Sequence, residues 1–146
     1  AWIYLPVSDA FAIAERGAGA VWRDASGERK LDAGTAPLDA AEQGASFYVR
    51  FMPDEWKGGI ETHATSIGRT SSTLCSAWDY TSVARGAHDF VTYYRMLPWD
   101  HAPGSLILRE AGGVVRDIET GIDYAPRTLK GPHLVARDEE SWEPGA

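Results

Sequence analysis

The stretch Trp99-Asp100-His101-Ala102-Pro103-Gly104 opens the clearest helix pattern of the chain, which runs on to Ala111 and ends at the pair Gly112-Gly113. Asp100 is the predicted N-terminal cap, because an aspartate oxygen accepts hydrogen bonds from the unpaired N–H groups of a first turn. Paired glycines are typical of the end of a helix. Aromatic and β-branched residues at 89–94 predict a strand just before it. The stretch therefore marks a strand-to-helix junction.

Strand and helix patterns alternate on both sides of this junction. They predict an α/β fold, a layered sandwich in which a β-hairpin from an N-terminal sheet precedes a C-terminal α/β sheet with helices on its faces. The predicted parts are a hairpin and connection at 1–44 that belong to a truncated N-terminal domain, an α/β domain at 45–140 and a frayed tail at 141–146. The other predicted elements are strands at 1–5, 11–14, 20–22, 46–51, 65–69, 114–115 and 133–136, a short helix after Pro53, a helix at 71–85 and an irregular connection at 23–44.

The composition argues against several classes of protein. The net charge is −7, from 21 acidic and 14 basic residues, so the surface repels polyanions and we expect no nucleic-acid partner. No apolar run approaches the roughly 20 residues of a membrane-spanning helix, and no secretory signal pattern opens the chain. A single cysteine, Cys75, is consistent with a cytoplasmic protein. Because residue 1 is an alanine that directly begins a strand pattern, we expect a fragment of something longer.

Two segments are candidates for ligand binding. Layered α/β sheets bind ligands outside the carboxyl ends of their strands, and this rule selects residues 74–77 and 98–104. A carboxylate at such a junction is a good oxygen ligand for Mg²⁺, which makes Asp100 a candidate metal ligand. The alternative is that Asp100 serves only as a helix cap. The four histidines show no zinc-site spacing, so we interpret each as a surface or packing residue.

A long, gapped pattern surrounds the junction: Trp99-Asp100-x-Ala-x-Gly, then Leu106-Ile107, then Glu110-Ala111-Gly112-Gly113-Val114. This pattern resembles the C-terminal signature of the inositol monophosphatase-like family. The resemblance covers nearly the whole chain apart from the variable stretch between 23 and 68. The other matching stretches are Ile3-Tyr4, Glu15-Arg16-Gly17-x-Gly19-Ala20, Cys75-Ser76-Ala77-Trp78-Asp79-Tyr80, Val83-Ala84-Arg85-Gly86, Asp89 and His133-Leu134-Val135-Ala136.

The resemblance implies a lithium-sensitive phosphatase that uses two or three Mg²⁺ ions. These ions bind the phosphate, lower the pKa of a bound water and stabilise the leaving alkoxide. The Asp of the Trp-Asp pair is a metal ligand in that family, so the resemblance assigns this role to Asp100. The implied substrate is a small phosphate monoester such as a sugar, polyol or nucleotide phosphate. Family members are commonly dimers, so a homodimer is a further expectation.

The chain also departs from the family pattern. The family's other metal ligands come from a Glu and an Asp-Pro-x-Asp-Gly-Thr stretch upstream of the hairpin, and neither motif occurs here. One carboxylate cannot form a two-metal site, so we expect this chain alone to be inactive. Tyr93 replaces a Glu that contacts a substrate hydroxyl in inositol-specific members, and Arg95 replaces a frequent Gly. Both departures argue against inositol phosphate as the substrate.

The start of the family's pocket helix, Gly-Ser or Gly-Thr, becomes Leu74-Cys75 here. Cys75, Ser76 and Tyr93 are therefore the candidate substrate-binding residues. For Cys75 the alternative is a small, buried apolar side chain. Asp79 is interpreted as part of a solvated helix face. The leading hypothesis is the C-terminal half of a magnesium-dependent phosphatase, and the alternative is a non-catalytic module of the same family that serves in binding or assembly.

Overall fold

The first 30 residues form a four-stranded antiparallel sheet. The structure, a computed structural model, describes residues 1–142. Ala10, Ala12 and Ala14 are buried on one face of this sheet, because side chains two residues apart point to the same side of a strand. The strands, in their spatial order, are β1 (Trp2–Leu5), β2 (Ala10–Glu15), β3 (Gly19–Asp24) and β4 (Gly27–Lys30).

A second, mixed sheet has five strands in the order β6-β5-β7-β9-β8. β5 runs parallel to β6 and β7, whereas β9 is antiparallel to both of its neighbours. Parallel neighbours require crossover connections, which helices provide, and the predicted α/β fold is confirmed. The strands are β5 (Gly44–Phe47), β6 (Arg69–Ser71), β7 (Phe90–Arg95), β8 (Val114–Asp117) and β9 (Lys130–Ala136).

The helices are α1 (Asp54–Ala64), α2 (Ser76–Ala84) and α3 (Pro98–Glu110). α2 and α3 lie between the two sheets, since one core cluster joins side chains of both sheets to both helices. This cluster includes Trp22, Tyr80, Val91, Ile107 and Val135. α1 buries none of its residues and lies on the other face of the second sheet. No helix within residues 1–142 is long and apolar enough to cross a membrane.

Glu110, the last residue of α3, holds the turn between β2 and β3. Its carboxylate accepts hydrogen bonds from the backbone N–H groups of Gly17 and Gly19, at 2.8 and 2.9 Å. Both glycines have positive φ, at 78° and 89°, a conformation that favours glycine. These two bonds are the main reason that the pKa of Glu110 is lowered. The C-terminal end of α3 is thereby fixed to the first sheet.

Several predicted elements differ from the structure. The connection predicted at 23–44 contains β4, which is an exposed edge strand held by polar pairs such as Arg23 with Glu28, so it carries no apolar pattern. The helix predicted at 71–85 begins only at Ser76, because β6 extends to Ser71 and a loop follows at 72–75. The strands predicted at 46–51 and 65–69 likewise shift to the bounds of β5 and β6.

The structure describes the C-terminal end of the predicted α/β domain but does not test its N-terminal boundary. Glu140–Trp142 forms a short 3-10 turn across the predicted boundary between the domain and the tail at 141–146, and residues 143–146 lie outside the described residues. The domain boundary predicted after residue 44 stays a prediction.

Candidate active site

A cavity of about 390 Å³ opens where β7 ends and where α2 and α3 begin. It brings together three of the predicted site residues, Ser76, Tyr93 and Asp100, whereas Cys75 does not line it. Its position agrees with the rule that α/β sheets bind ligands beyond the carboxyl ends of their strands. The other lining residues are Tyr48, Arg50, Phe51, Leu74, Tyr94, Arg95, Leu97, Trp99 and His101.

Asp100 is not the cap of α3, because the N-cap residue lies three residues earlier than predicted. Leu97 is the N-cap and Pro98 is the first helical residue, where a proline's fixed φ and missing N–H are tolerated. The backbone N–H of Asp100 donates to the carbonyl of Leu97 at 3.0 Å. Its side chain is exposed and accepts no hydrogen bond from residues 1–142. The carboxylate is therefore accessible to a ligand, beside the positive end of the helix dipole.

Tyr93 forms one wall of the cavity. Its ring stacks on that of Tyr48, with centroids 4.9 Å apart and an interplanar angle of 19°. Its hydroxyl donates a hydrogen bond to Oδ2 of Asp79 at 2.9 Å. Burial, and then the negative charge of Asp79, raise the pKa of Tyr93 far above its ordinary value. Tyr93 therefore stays a neutral hydrogen-bond donor.

Asp79 is completely buried, so the prediction that it lies on a solvated helix face is wrong. The physical reason is that α2 lies between two sheets, which cover both of its faces. The carboxylate accepts hydrogen bonds from Oγ1 of Thr73 at 2.8 Å and from the hydroxyl of Tyr93 at 2.9 Å. Two hydroxyl donors and a place in the first turn of α2 offset the loss of water around a buried charge.

The hydroxyl of Thr73 connects this carboxylate to the loop before α2. Thr73 has one hydroxyl proton and donates it to Asp79, so Tyr48 is the donor in its 3.0 Å contact with Thr73. The Tyr48 oxygen in turn accepts the backbone N–H of Cys75 at 3.1 Å. All of these donors point towards Asp79, and hydrogen bonds in such a chain strengthen one another. These hydrogen bonds hold the loop before α2, which includes Leu74 with its positive φ of 55°.

Cys75 contributes its backbone to this network. It is the N-cap residue of α2, and its side chain is exposed, so the alternative of a small buried side chain is wrong. A residue directly before the helix, at the edge of the layer, has no core to pack into. A role of the thiol in substrate binding stays a prediction.

His101 lies behind Asp100 as a packing residue. Its ring packs edge-on against Tyr93, with centroids 4.7 Å apart, and its Nδ1 lies 3.2 Å from the hydroxyl of Tyr80. Burial lowers the pKa of His101 to about 4, so the ring is neutral at physiological pH. This position agrees with the interpretation of His101 from the sequence.

Asp100 is the only carboxylate among the described residues that line the cavity. No group of three His, Cys, Asp or Glu side chains within residues 1–142 is arranged to hold a metal ion. Mg²⁺ usually binds one or two carboxylates together with waters and substrate oxygens. The described residues alone therefore do not form a magnesium centre, but an exposed carboxylate fits the role of one protein ligand among several.

A larger cavity of about 710 Å³ lies between α1 and the outer face of the second sheet. Its walls are largely aromatic and aliphatic, with Phe47, Trp56 and Phe90 among them, and it contains none of the predicted site residues. The smaller cavity is the better candidate, because it lies at the strand ends and contains Asp100.

Four residues of the cavity and its network carried no motif signal: Tyr48, Arg50, Phe51 and Thr73. They come from a strand end and loops that are distant in sequence from the Trp99-Asp100 junction. Arg95 gave one signal, its departure from a position that is often glycine in the family that the chain resembles.

Comparison with known proteins decides the family. The model of the inositol monophosphatase family matches residues 1–145. The chain belongs to the inositol monophosphatase family. The resemblance seen in the Trp99-Asp100 stretch is thereby confirmed. Inositol monophosphatases are phosphatases that in general depend on magnesium.

Two curated relatives illustrate the range of this family. Nus factor SuhB of Salmonella typhimurium is 31% identical over an alignment of 158 positions, which covers 95% of this chain and 55% of that protein. The inositol monophosphatase of Dictyostelium discoideum is 30% identical over 125 residues, which cover 83% of this chain and 45% of that protein. The chain thus spans about half the length of the curated relatives it matches.

Solved structures share the fold. A Pyrococcus horikoshii protein with similarities to inositol-1 monophosphatase has a TM-score of 0.75 at 27% identity, over 97% of this chain and 53% of that one. An inositol monophosphatase from Zymomonas mobilis has a TM-score of 0.79 at 17% identity, over 95% of this chain and 52% of that one. The two sheets with α2 and α3 between them belong to the fold of this family.

Proposed function

We propose that this chain is the C-terminal portion of a magnesium-dependent phosphatase that hydrolyses a small phosphate monoester, such as a sugar, polyol or nucleotide phosphate. The observation that carries the proposal is the exposed Asp100 carboxylate in the wall of the 390 Å³ cavity, in the first turn of α3. Membership of the inositol monophosphatase family supplies the reaction class.

Each part of the site has a task suited to its chemistry. Asp100 holds a magnesium ion together with ligands from the rest of a longer protein, which binds two or three ions in all. Mg²⁺ held there would supply Lewis-acid chemistry, polarising the phosphate and activating a water. The N–H groups in the first turn of α3 lie at the same cavity and favour an anion. Ser76 and Tyr93 shape the pocket for the leaving group, and Cys75 lies in the loop beside it.

The chain by itself is proposed to be inactive. Asp100 is the single carboxylate that the described residues place at the cavity, which is too few for a site with two metals. We further propose a cytoplasmic location and a homodimer for the whole protein. The lone cysteine supports the first of these, and the family resemblance supports the second.

The decisive variant is Asp100→Asn in the longer protein. We expect kcat/KM for phosphate release to fall by about two orders of magnitude or more, since metal stabilisation of the transition state amounts to several kcal/mol. Release of inorganic phosphate from a panel of monoesters, measured with and without Mg²⁺, tests this expectation.

Asp54→Asn is the matched control, because Asp54 also lies in the first turn of a helix but does not line the cavity. The control is expected to keep the wild-type rate. Unchanged turnover in Asp100→Asn, with wild-type circular dichroism, would remove Asp100 from the mechanism.

A second candidate function is a non-catalytic module that serves in binding or assembly. It is favoured by the single carboxylate at the cavity among the described residues, by Tyr93 in place of the family's Glu, and by relatives that bear the name Nus factor SuhB. If the folded longer protein releases no phosphate from any monoester with Mg²⁺, this second function replaces the first.

A further inference from the structure

Two arginines share one aromatic ring at the mouth of the candidate active site. The guanidinium carbons of Arg50 and Arg95 lie 5.2 and 5.0 Å from the ring centroid of Phe51. All three residues line the cavity that contains Asp100, and all three are exposed. Because both cations contact the same ring, they lie within about 10 Å of each other.

Neither arginine has an anionic partner among residues 1–142. The ion pairs of the described residues use other cations, and Asp100 is the only acidic side chain in the cavity wall. The chain as a whole has a net charge of −7, whereas the two unpaired arginines make this part of the cavity wall positively charged. Two positive charges and the candidate metal ligand Asp100 therefore lie in the wall of the same cavity.

An anion that contacts both arginines reduces their mutual repulsion. A guanidinium presents paired donors that match the oxygens of a phosphate or a carboxylate. The Phe51 ring restrains both groups through cation–π contacts, so less freedom is lost when the anion binds. A neutral polyol would offer the two arginines no anion to pair with.

We propose that Arg50 and Arg95 bind a second anionic group in the leaving group of the substrate. The substrate is then a phosphate ester that carries another phosphate or a carboxylate on a small carbon skeleton. The cavity volume of about 390 Å³ suits a molecule of this size. The inference rests on the proposed function for the scissile phosphate near Asp100, but the second anion site is a property of this chain's own residues.

Binding to the 146-residue chain tests the second site directly. Ligand-detected NMR titrations, without metal and at low ionic strength, compare glucose-1,6-bisphosphate with glucose-1-phosphate, and 6-phosphogluconate with glucose-6-phosphate. In one of the two pairs, we expect the compound with two anionic groups to bind about tenfold more tightly than the compound with one, as charge-assisted hydrogen bonds allow. The pair that shows the preference identifies the second anion as phosphate or carboxylate.

The variant Arg50→Gln/Arg95→Gln is expected to bind both members of that pair equally. The control Arg16→Gln/Lys30→Gln removes the same charge at two exposed residues, one in the β2–β3 turn and one in β4, and is expected to keep the preference. No preference in the wild-type chain, or a preference that survives in Arg50→Gln/Arg95→Gln, overturns the inference.

Turnover by the longer protein separates this inference from the proposed function. Binding that depends on the arginines without any phosphate release leaves the second anion site standing and removes the phosphatase. Phosphate release with equal KM values for esters with one and with two anionic groups supports the phosphatase and excludes the second anion site.

Discussion

The carboxylate of Asp79 has no contact with solvent and accepts hydrogen bonds from the hydroxyls of Thr73 and Tyr93. Through Thr73 it also orders Tyr48 and the backbone of Cys75. A buried hydroxyl without an acceptor costs more free energy than a typical hydrogen bond contributes. This one side chain therefore orders both the ring wall of the cavity and the loop that precedes α2.

At this scale we predict that Asp79→Leu lowers the free energy of unfolding by about 2–4 kcal/mol, because it leaves the buried hydroxyl of Tyr93 without an acceptor and breaks the bond from Thr73. Urea unfolding at neutral pH measures the loss. Asp79→Asn keeps the shape and one acceptor oxygen, so its loss is expected to be smaller. A leucine variant as stable as the wild type would show that the network does not contribute to stability.

The close approach of α2 and α3 depends on Gly104. A Cβ atom added at this position would lie 2.3 Å from Cγ of Tyr80, which is shorter than any tolerated contact. Tyr80 is fully buried and also contacts His101, so its ring has no space to move into. The two helices that begin at the cavity are therefore held at a distance that only glycine permits.

For this element we predict that Gly104→Ala destabilises the protein by about 1–3 kcal/mol through overpacking, although alanine is the better helix former. Gly58→Ala in α1 is the matched control, because an added Cβ meets nothing within 4 Å there. That control is expected to stabilise the protein by about 0.5–1 kcal/mol. Thermal unfolding compares the two, and equal Tm changes would contradict the packing argument.

Across the whole molecule, α3 joins the two sheets. Its apolar side chains share a core cluster with residues of both sheets, and Glu110 at its C-terminal end binds the β2–β3 turn. Its N-terminal end carries Asp100 into the cavity. The position of the candidate metal ligand is thus coupled to the packing of the first sheet.

The contact between Glu110 and the β2–β3 turn makes the stability of the protein depend on pH. The folded-state pKa of Glu110 lies below its ordinary value of 4.5, mainly because of the Gly17 and Gly19 amides, so its contribution to stability is complete above that value and is lost as the pH falls through the folded-state pKa. Glu110→Gln is expected to lower Tm slightly near neutral pH and to make the decline of Tm in acid shallower. Glu61→Gln, at an exposed residue of α1, is expected to change neither. An acid decline as steep as that of the wild type would exclude the Glu110 contribution.

Local patterns predicted the elements whose residues carry strong signals. The glycines that follow α3 and the aromatic and β-branched run of β7 led to a helix and a strand within a few residues of the observed bounds. β4 carries no strand signal because its polar side chains pair across an exposed edge. The predicted start of α2 is five residues early because the end of β6 and a loop at 72–75 occupy that stretch. Asp100 was placed correctly at a strand-to-helix junction, but as a cap, because Pro98 as the first helical residue was not recognised.

The sequence by itself predicted the family from a long, gapped pattern of residue types, and the α/β class from short, regular spacings. It also selected Asp100 as the candidate metal ligand. Only the tertiary structure decided that Asp79 is buried, that Tyr93 donates to it, and that Arg50 and Arg95 share the Phe51 ring. The reason is that burial and pairing depend on which layers cover a side chain, and those layers come from segments far apart in the chain.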